Sequence, residues 1–450
     1  MKRAAIAAAL AIVLSVAALA VLRSCGGAEP GPPAPGIVRG PYLQQVTPRS
    51  VVVRWRTGTE TEGLVEYGAE AELLGLKARR DGTGFDHEVE LTGLEAGARY
   101  HYVVSDGTGR LGSGSGSFRT ALEAGSTEPF RVWVVGDSGT GTQYAREVRD
   151  AFFGWAGERG ADLWVMLGDN AYTHGTDAQY QHGLFDTYPE QLRNLPLYPT
   201  LGNHDGRSAD SVAGTGPYYE VFTLPTGGEA GGVPSGTEAY YSFDYGNAHF
   251  VCLETHSLGL GPGSEMRRWL EADLAATDQL WKIAFFHHPP YTEGSHDSDD
   301  ESDLIAVRGL LVPVLEEHGV DLVLSGHSHS YERSYLLDGL YAEDDDVTEA
   351  KFVDRGDGRP NGDGPYRKPE GAHAGTVYVV AGSAAKLSGG DLDHEAMAVS
   401  MNRRGTMALD VSNDRIDAVF VDSGGVVRDH FALVKGSVAV ELAERPPAPP

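Results

Sequence analysis

The pattern of apolar and polar residues changes twice along the chain, and each part predicts a different structure. An unbroken apolar run covers residues 4–22. Short runs of alternating apolar and polar positions follow over residues 37–121, which is typical of half-buried β-strands. Between residues 129 and 435, short apolar runs alternate with helical periodicities, which predicts a layered α/β domain whose central β-sheet is flanked by helices. The clearest helical periodicities cover residues 144–155, 264–276 and 304–317.

The alternating part of the chain predicts an all-β sandwich. Two of its runs place their apolar residues on one face of a strand: Val51, Val53 and Trp55, and Tyr100, Tyr102 and Val104. The spacing from Leu94 to Tyr100 is that of a tyrosine corner, in which the phenol bonds to the backbone a few residues earlier. The region therefore resembles a fibronectin type III module, with Ala96 where that family usually has proline.

The apolar run near the start of the chain has the layout of an export signal, because Lys2 and Arg3 precede it. The three residues before Cys25 resemble a bacterial lipoprotein processing box, which makes Cys25 a candidate for lipidation. The alternative is an uncleaved anchor, since about 20 apolar residues can span a bilayer. Both interpretations predict an extracytoplasmic protein, which is either secreted or held at a membrane by the Cys25 lipid or by the N-terminal helix.

Composition narrows the range of functions. The 450 residues include 36 Lys and Arg against 64 Asp and Glu, so the net charge is 36 − 64 = −28. Such a charge argues against sequence-independent nucleic-acid binding, which depends on cationic side chains that release counterions. With Cys25 and Cys252 as its two cysteines, the chain cannot form a disulfide framework, and Cys252 is interpreted as a core residue. Outside the two predicted domains, the sequence predicts a signal over 1–25, a Gly/Pro linker over 26–36 and a C-terminal tail over 436–450.

Five apolar runs of the α/β region stop abruptly in polar residues. These polar clusters contain Asp137, then Asp169 and Tyr172, then Asn203, then His287, and finally His327 and His329. Because open α/β sheets bind ligands beyond the carboxyl ends of their strands, the five clusters can converge on one crevice. Carboxylates, imidazoles and a phenol together are metal ligands, and their number is too large for one ion and suits two.

In this order, the five clusters resemble those of the calcineurin-like metallophosphoesterases over roughly residues 130–421. Most members of that superfamily begin with Asp-x-His, whereas the third position is Gly139 here. The apparent replacement is Tyr172, three residues after Asp169, and this exchange is the signature of the purple acid phosphatases. The fibronectin-like module at the front also matches the larger purple acid phosphatases.

The resemblance implies two metal ions that share one carboxylate. The first ion would be held by Asp137, Asp169, Tyr172 and His329. The second would be held by Asp169, Asn203, His287 and His327, with His288 as a neighbour rather than a ligand. The resemblance also implies that His204 lies against the phosphoryl oxygens. It places His296 near a histidine that plant-like members hold close to the leaving group, although a solvated loop histidine is the alternative.

The predicted ligand sets suggest which metals bind and which reaction follows. Phenolate and carboxylate oxygens suit Fe(III), whereas the Asn/His/His set suits Zn, Mn or Fe(II). An Fe(III) ion and a divalent ion carry five positive charges, and three anionic ligands leave a charge of about two, which matches a phosphate monoester dianion. The sequence therefore predicts a binuclear acid phosphatase in which a metal-activated hydroxide attacks phosphate monoesters.

Two other functions stay open at this point. A phosphodiesterase of the same superfamily would need room for a second ester arm. A surface adhesion protein would use its fibronectin-like module and leave the second domain inert, which the complete set of predicted ligands argues against. Residues 338–368 are predicted to form a loop near the rim of the site. Their acidic run at 343–346 is either a candidate calcium site or a solvated loop.

Overall fold

The computed structural model describes residues 36–341 and 347–436. The predicted signal with Cys25, nearly all of the linker and of the tail, and the acidic run 343–346 lie outside these residues. No helix in the two described ranges is long and apolar enough to cross a membrane. The described residues form an N-terminal β domain followed by an α/β domain.

The N-terminal domain is one hydrogen-bonded sheet of five strands in which β2 pairs with β1, β3 and β4. The strands are β1 (Ile37–Gln44), β2 (Ser50–Gly68), β3 (Leu76–Thr92), β4 (Arg99–Ser105) and β5 (Arg110–Arg119). Val51, Val53 and Trp55 are buried together, which confirms the predicted alternation. The backbone N–H of Glu95 donates to the Tyr100 phenol oxygen at 3.1 Å, as the tyrosine corner predicts.

The α/β domain contains two seven-stranded sheets, a two-stranded ribbon and seven described helices. The strands of the first sheet, in spatial order, are β16 (Tyr366–Arg367), β21 (Val427–Val434), β20 (Arg415–Asp422), β19 (Gly405–Val411), β6 (Phe130–Val135), β7 (Leu163–Met166) and β8 (Leu197–Pro199). Those of the second sheet are β18 (Met397–Met401), β13 (Tyr331–Ser334), β17 (Val377–Ala381), β12 (Leu322–Ser325), β11 (Trp281–Phe286), β10 (Ala248–Cys252) and β9 (Tyr241–Tyr245). The ribbon pairs β14 (Leu336–Leu337) with β15 (Phe352–Asp354).

The helices agree with the predicted periodicities, with one difference. They are α1 (Gln143–Ala156), α2 (Asp177–Tyr180), α3 (Pro189–Asn194), α4 (Pro217–Val221), α5 (Glu265–Ala276), α6 (Ser302–Leu310) and α7 (Val312–Glu317). The periodicity over residues 304–317 is divided between α6 and α7. Pro313 lies in the first turn of α7, where its missing N–H is tolerated, whereas within a continuous helix it would break a hydrogen bond.

The core lies between the two large sheets, so the predicted central sheet is in fact a pair of facing sheets. Val132 and Val165 of the first sheet are buried in one cluster with Phe285 and Leu324 of the second. Helix α1 packs against β19 and β20 on the outer face of the first sheet. Residues of α5, α6 and α7 form a second apolar cluster on the outer face of the other sheet. Apolar side chains on both faces of these strands make the four layers possible.

Parallel pairing aligns the carboxyl ends of the strands that matter for function. Strands β6, β7 and β8 are parallel neighbours in the first sheet. Strands β10, β11, β12 and β17 are parallel neighbours in the second. The five polar clusters follow β6, β7, β8, β11 and β12, so each sheet delivers its clusters to one edge.

The N-terminal domain packs against the strand that precedes Asn203. The Gln44 side-chain amide donates to the carbonyl of Leu197 at 3.1 Å, and the Tyr198 phenol donates to the carbonyl of Val46 at 2.9 Å. On the same domain, the Arg54 guanidinium donates to the carbonyl of Glu220 at 2.7 Å. The N-terminal domain therefore supports β8 from outside the α/β domain.

The predicted rim location of residues 338–368 is wrong for the contacts that the structure describes. The Lys368 ammonium lies 3.0 Å from Asp321, which directly precedes β12. The Asp338 carboxylate binds the ring of His373, which precedes β17, at 2.9 Å. Both contacts lie at the amino ends of parallel strands, opposite the edge with the polar clusters. The reason is topological, because a connection that leads into β17 must return to the amino end of that strand.

Candidate metal centre

Three of the predicted metal ligands occupy strained turns. Asp137, Asp169 and His327 have positive φ angles of 56°, 52° and 65°, a region that side chains other than glycine rarely adopt. Such conformations cost on the order of 1–3 kcal/mol each and persist only where the surrounding structure holds them. Each residue follows a glycine at the end of a different strand. Strain at three strand ends that meet in one place is typical of a functional site.

Gly139 stands where most metallophosphoesterases have histidine, and the structure shows why a side chain cannot fit there. A Cβ atom at this position would lie 2.1 Å from the carbonyl carbon of Asn170. The backbone of Gly139 also donates to the carbonyl of Asp169 and accepts from the N–H of Tyr172. The turns after β6 and β7 therefore touch backbone to backbone, and this contact places Tyr172 beside Asp137.

Two predicted ligands lie beside the carboxylate of a third, and we call Asp137, Tyr172 and His329 the Tyr172 group. The Tyr172 phenol donates to Oδ1 of Asp137 at 3.0 Å, and Nε2 of His329 lies 3.6 Å from the same oxygen. The backbone N–H of His327 donates to the other oxygen of Asp137 at 2.9 Å. The Tyr172 group is therefore internally hydrogen-bonded through the phenol proton.

Three further predicted ligands meet almost at a point, and we call Asn203, His287 and His327 the Asn203 group. Nε2 of His287 lies 3.0 Å from Oδ1 of Asn203, while Nδ1 of His327 lies 3.2 Å from both of these atoms. Nδ1 of His287 faces the carbonyl of Leu167 at 2.8 Å, and a carbonyl can only accept. The proton of the neutral His287 ring therefore lies on Nδ1, which leaves a lone pair on Nε2.

With the amide oxygen of Asn203 directed at the two imidazoles, the Asn203 group has fewer protons than its acceptors require. The amide oxygen of Asn203 and Nε2 of His287 are both acceptors, and a proton on Nδ1 of His327 satisfies only one of them. At least one pair of acceptors then faces each other without a hydrogen bond, which is unfavourable in a buried place. A cation between these atoms would remove the conflict, and one oxygen with two imidazoles suits a divalent transition metal. The residues present therefore fit a bound metal ion.

Asp169 lies between the two groups. Its Oδ1 is 3.5 Å from Nε2 of His287 and accepts the backbone N–H of His204 at 2.9 Å. Ligand atoms of Asp137, Asp169 and His287 all lie within 4.8 Å of one another. This position suits a carboxylate shared by two ions, and the individual ligand roles stay predictions.

The acidic residues of the centre cannot all be ionised without a cation. Burial raises the pKa of Asp137 well above its ordinary value, and the charge of Asp169 raises it further. Burial also opposes ionisation of Asp169, but the neighbouring His287 and His204 hold its pKa below the ordinary value. The pKa of Tyr172 is raised well above its ordinary value by burial and then by the charges of Asp137 and Asp169. Bound metal ions would reverse this balance because they favour the anionic forms.

The histidines of the centre are in the neutral form that ligates metals. Burial is the first cause that lowers the pKa of His287 and of His327, and neighbouring imidazoles lower the latter well below its ordinary value. Burial, followed by the charge of Lys386, lowers the pKa of His329 to about 3. Neutral imidazoles keep a lone pair free for an ion.

The structure places His204, His288 and His296 at the edge of this arrangement. Nδ1 of His204 faces the carbonyl of Thr173 at 2.8 Å, so its proton is held there, and Nε2 points toward Asp169 at 3.8 Å. His288 is buried, and its Nδ1 bonds the hydroxyl of Thr255 at 2.9 Å. The ring of His296 stacks on that of His327, with centroids 3.8 Å apart. His296 is therefore next to a predicted ligand, and its catalytic role stays a prediction.

Asp205 organises the centre, although it is not among the residues predicted from the sequence. Its Oδ2 accepts the backbone N–H groups of Asn170 and Gly202, both at 3.0 Å. Its Oδ1 accepts the N–H of Ala171 at 3.1 Å and the Tyr180 phenol at 2.8 Å. This buried carboxylate ties the turn after β7 to the turn after β8, and its position directly after His204 was the available signal.

A sixth strand end also reaches the centre without having been predicted. The segment after β17 carries Ser388, whose hydroxyl lies 2.7 Å from Nδ1 of His329. It also carries Lys386, whose ammonium lies 4.3 Å from the centroid of the Tyr172 ring. The apolar run Val377–Ala381 is followed by a glycine, as are four of the five runs that precede the predicted clusters. The same pattern could therefore have predicted this strand end as part of the site.

Comparisons with known protein families divide the chain in the same place as the structure. Residues 130–331 match the family model for calcineurin-like phosphoesterases. Residues 40–120 match the model for the N-terminal domain of purple acid phosphatases. The second match covers the region that resembles a fibronectin type III module, and that narrower resemblance stays a prediction.

Individual relatives and solved structures point the same way. The chain is 29% identical to purple acid phosphatase 15 of Arabidopsis thaliana over 56% of this chain, a match that spans half the length of that protein. It is 27% identical to purple acid phosphatase 23 of the same plant over 65% of this chain and 74% of that protein. The fold is similar to a purple acid phosphatase from yellow lupin (Lupinus luteus) seeds, with a TM-score of 0.64, 18% identity, and coverage of 90% of this chain and 78% of that one. It is also similar to PhoD, with a TM-score of 0.60, 16% identity, and coverage of 89% and 90%.

Proposed function

We propose that this chain is an acid phosphatase that cleaves phosphate monoesters at a binuclear metal centre, because residues 130–331 match the calcineurin-like phosphoesterases and the chain is similar to purple acid phosphatases. The observation that carries the proposal is the pairing of the Tyr172 group with the Asn203 group across Asp169. One group offers anionic oxygens, and the other offers an amide oxygen and two neutral imidazoles. Two different ions, Fe(III) and a divalent partner, fit this division.

The residues of the chain hold and orient the reacting groups. Two bound metal ions would supply a water nucleophile and charge neutralisation for the phosphoryl oxygens. Asp169 fixes the spacing of the two groups, and the Leu167 carbonyl fixes the orientation of the His287 ring. His204 is held by Thr173 with Nε2 directed toward Asp169, so it can donate a proton to a phosphoryl oxygen when it is protonated. No serine or cysteine nucleophile is needed, and Cys252 is buried in the core as predicted.

The experiment compares two esters on the purified protein and counts its metal ions. We expect about two metal equivalents per chain and faster release of nitrophenol from p-nitrophenyl phosphate than from bis(p-nitrophenyl) phosphate. Faster cleavage of the bis ester would make the protein a phosphodiesterase. A protein with two bound metals that cleaves neither ester, or one that binds no metal, would refute the proposal.

Export of the protein is a second part of the proposal, and it rests on the sequence before residue 36. If Cys25 carries a lipid, the variant Cys25→Ser should move from the membrane fraction to the soluble fraction of the producing cell. Unchanged membrane association would favour the apolar helix over residues 4–22 as an uncleaved anchor. Recovery of wild-type protein and variant in the cytosol would refute export.

A further inference from the structure

The segment that follows β17 reaches the candidate metal centre from the second sheet. β17 is parallel to β12, so its carboxyl end lies at the same edge as the turn that carries His327 and His329. The Ser388 hydroxyl bonds the ring of His329 at 2.7 Å, which fixes the segment against the Tyr172 group. Two residues earlier, the Lys386 ammonium lies over the face of the Tyr172 ring, 4.3 Å from its centroid.

Lys386 differs from the other described lysines in having no anionic or carbonyl partner. In the ranges 36–341 and 347–436 there are six lysines, and the other five bond a carboxylate or a backbone carbonyl. Lys386 has neither a hydrogen bond nor an ion pair within those ranges, although the protein as a whole carries a net charge of −28. It is also half-buried, so water replaces such a partner only in part.

The contact with the Tyr172 ring does not by itself explain a half-buried ammonium. Cation–π contacts contribute about 0.5–2 kcal/mol and leave the donor N–H groups of the ammonium free. Burial is the first cause that lowers the pKa of His329, and the charge of Lys386 is the second. The charge of Lys386 therefore acts on a member of the Tyr172 group. Lys386 therefore places a positive charge and free N–H donors beside the predicted metal ligands.

We propose that Lys386 is a substrate-binding residue whose ammonium pairs with the phosphoryl oxygens of the bound ester. The inference rests on the proposed phosphatase function and adds a specificity to it. An ammonium attracts a dianionic monoester more strongly than a monoanionic diester, because the Coulomb energy scales with the charge of the ligand. Lys386 thus favours monoesters in addition to any contribution of the metals.

The test uses the variants Lys386→Met and Lys386→Arg, with Lys77→Met as the control. Lys77 lies on β3 of the N-terminal domain, where it pairs with Glu66, so its substitution removes one charge far from the centre. For Lys386→Met we expect KM for p-nitrophenyl phosphate and the inhibition constant of inorganic phosphate to rise about tenfold, as for the loss of one charge-assisted hydrogen bond. KM for the bis ester should change less, and Lys386→Arg should restore most of the loss.

A second readout does not depend on turnover. If Tyr172 ligates Fe(III), its phenolate gives a visible charge-transfer band. Removal of the neighbouring positive charge raises the energy of the phenolate electrons. The band of Lys386→Met should therefore move to longer wavelength, whereas Lys77→Met should leave it unchanged.

Calorimetric titration with inorganic phosphate should show the same tenfold weakening without any ester present.

The outcomes separate the inference from the proposed function. Unchanged phosphate affinity and unchanged KM in a folded Lys386→Met variant would overturn the role of Lys386 while leaving the phosphatase intact. Equal losses for the monoester and the bis ester would overturn the specificity argument. A wild-type protein that cleaves neither ester would refute the proposed function, and the phosphate titration would then still decide whether Lys386 binds the anion.

Discussion

The Tyr172 group and the Asn203 group lie side by side but differ in how they tolerate the absence of a metal. In the Tyr172 group, the phenol proton bridges Tyr172 and Asp137, so these two side chains share a hydrogen bond. In the Asn203 group, acceptors approach to 3.0–3.2 Å with too few protons between them. One half of the centre can therefore hold either a proton or an ion, whereas the other half is built for an ion.

The difference has a structural origin. Within the Tyr172 group, the hydrogen-bonded pair of Tyr172 and Asp137 lies on two strand ends of one sheet, and Gly139 makes the backbone contact between them possible. The Asn203 group joins strand ends of both sheets, since Asn203 follows β8 whereas His287 and His327 follow β11 and β12. Packing of the two sheets thus brings the three side chains together, and the stability of the core keeps them in place.

The largest effect is expected where the two groups meet. Asp169→Ala should lose both metal ions and essentially all phosphatase activity, because the one carboxylate lies between the groups. Metal content and turnover of the purified variant measure this directly. Asp162→Ala is a suitable control, because that buried aspartate precedes the same strand, β7, at its opposite end. Two metal equivalents with near wild-type turnover in Asp169→Ala would refute the shared ligand.

The next prediction concerns the Asn203 group alone. His287→Ala should lose about one metal equivalent and lower kcat/KM by a factor of roughly 10²–10³, because the remaining metal cannot orient the ester by itself. His288→Ala is the matched control, since the adjacent imidazole is also buried but bonds Thr255. Retention of both equivalents in His287→Ala, or an equal loss in both variants, would contradict the assignment of the ligand to His287.

Substitution in the Tyr172 group should lower turnover less than the two substitutions above, but it should abolish the colour of the iron-loaded protein. If the phenolate of Tyr172 ligates Fe(III), the iron-loaded protein should be violet, and Tyr172→Phe should lose the visible band. Some hydrolysis should persist, because Asp137, Asp169 and His329 remain, but iron should be held less tightly. A colourless wild-type protein with stoichiometric iron under oxidising conditions, or a variant as violet as the parent, would remove Tyr172 from the ligands.

The sequence predicts the residues of this centre more fully than it predicts the arrangement of the sheets that carry them. All five polar clusters were predicted from one physical rule, that parallel strands deliver their carboxyl-end residues to a common edge. The pairing of two facing sheets was not predicted, because the alternation of apolar runs and helical periodicities predicts strands without showing which sheet each strand joins. Asp205 was missed although it directly follows His204, because its contacts to the backbone N–H groups of Asn170 and Gly202 do not depend on the residue types at those positions.

The smallest expected effect on activity lies outside the centre, at a buried histidine in the opposite protonation state. The ring of His249 is held between Asp244 at 2.7 Å and Asp273 at 2.8 Å, which ties β9, β10 and α5 together. Burial opposes the charge on this ring, but the two carboxylates raise the pKa of His249 to about 9. His287 and His327 of the centre are neutral instead, because no carboxylate pair compensates their burial.

The sign of the pH effect follows from the raised pKa of His249. Since an unfolded histidine has a pKa of about 6.5, this ring contributes on the order of 3 kcal/mol to the free energy of unfolding below that pH. The contribution should decline as pH rises from about 6.5 to 9, the interval between the unfolded and folded pKa values. His249→Gln should therefore lower the free energy of unfolding strongly at pH 6 and much less at pH 9, as measured by urea titration. His101→Gln on β4 serves as the control, and a loss for His249→Gln that does not vary with pH would show that packing, rather than the buried imidazolium, stabilises this region.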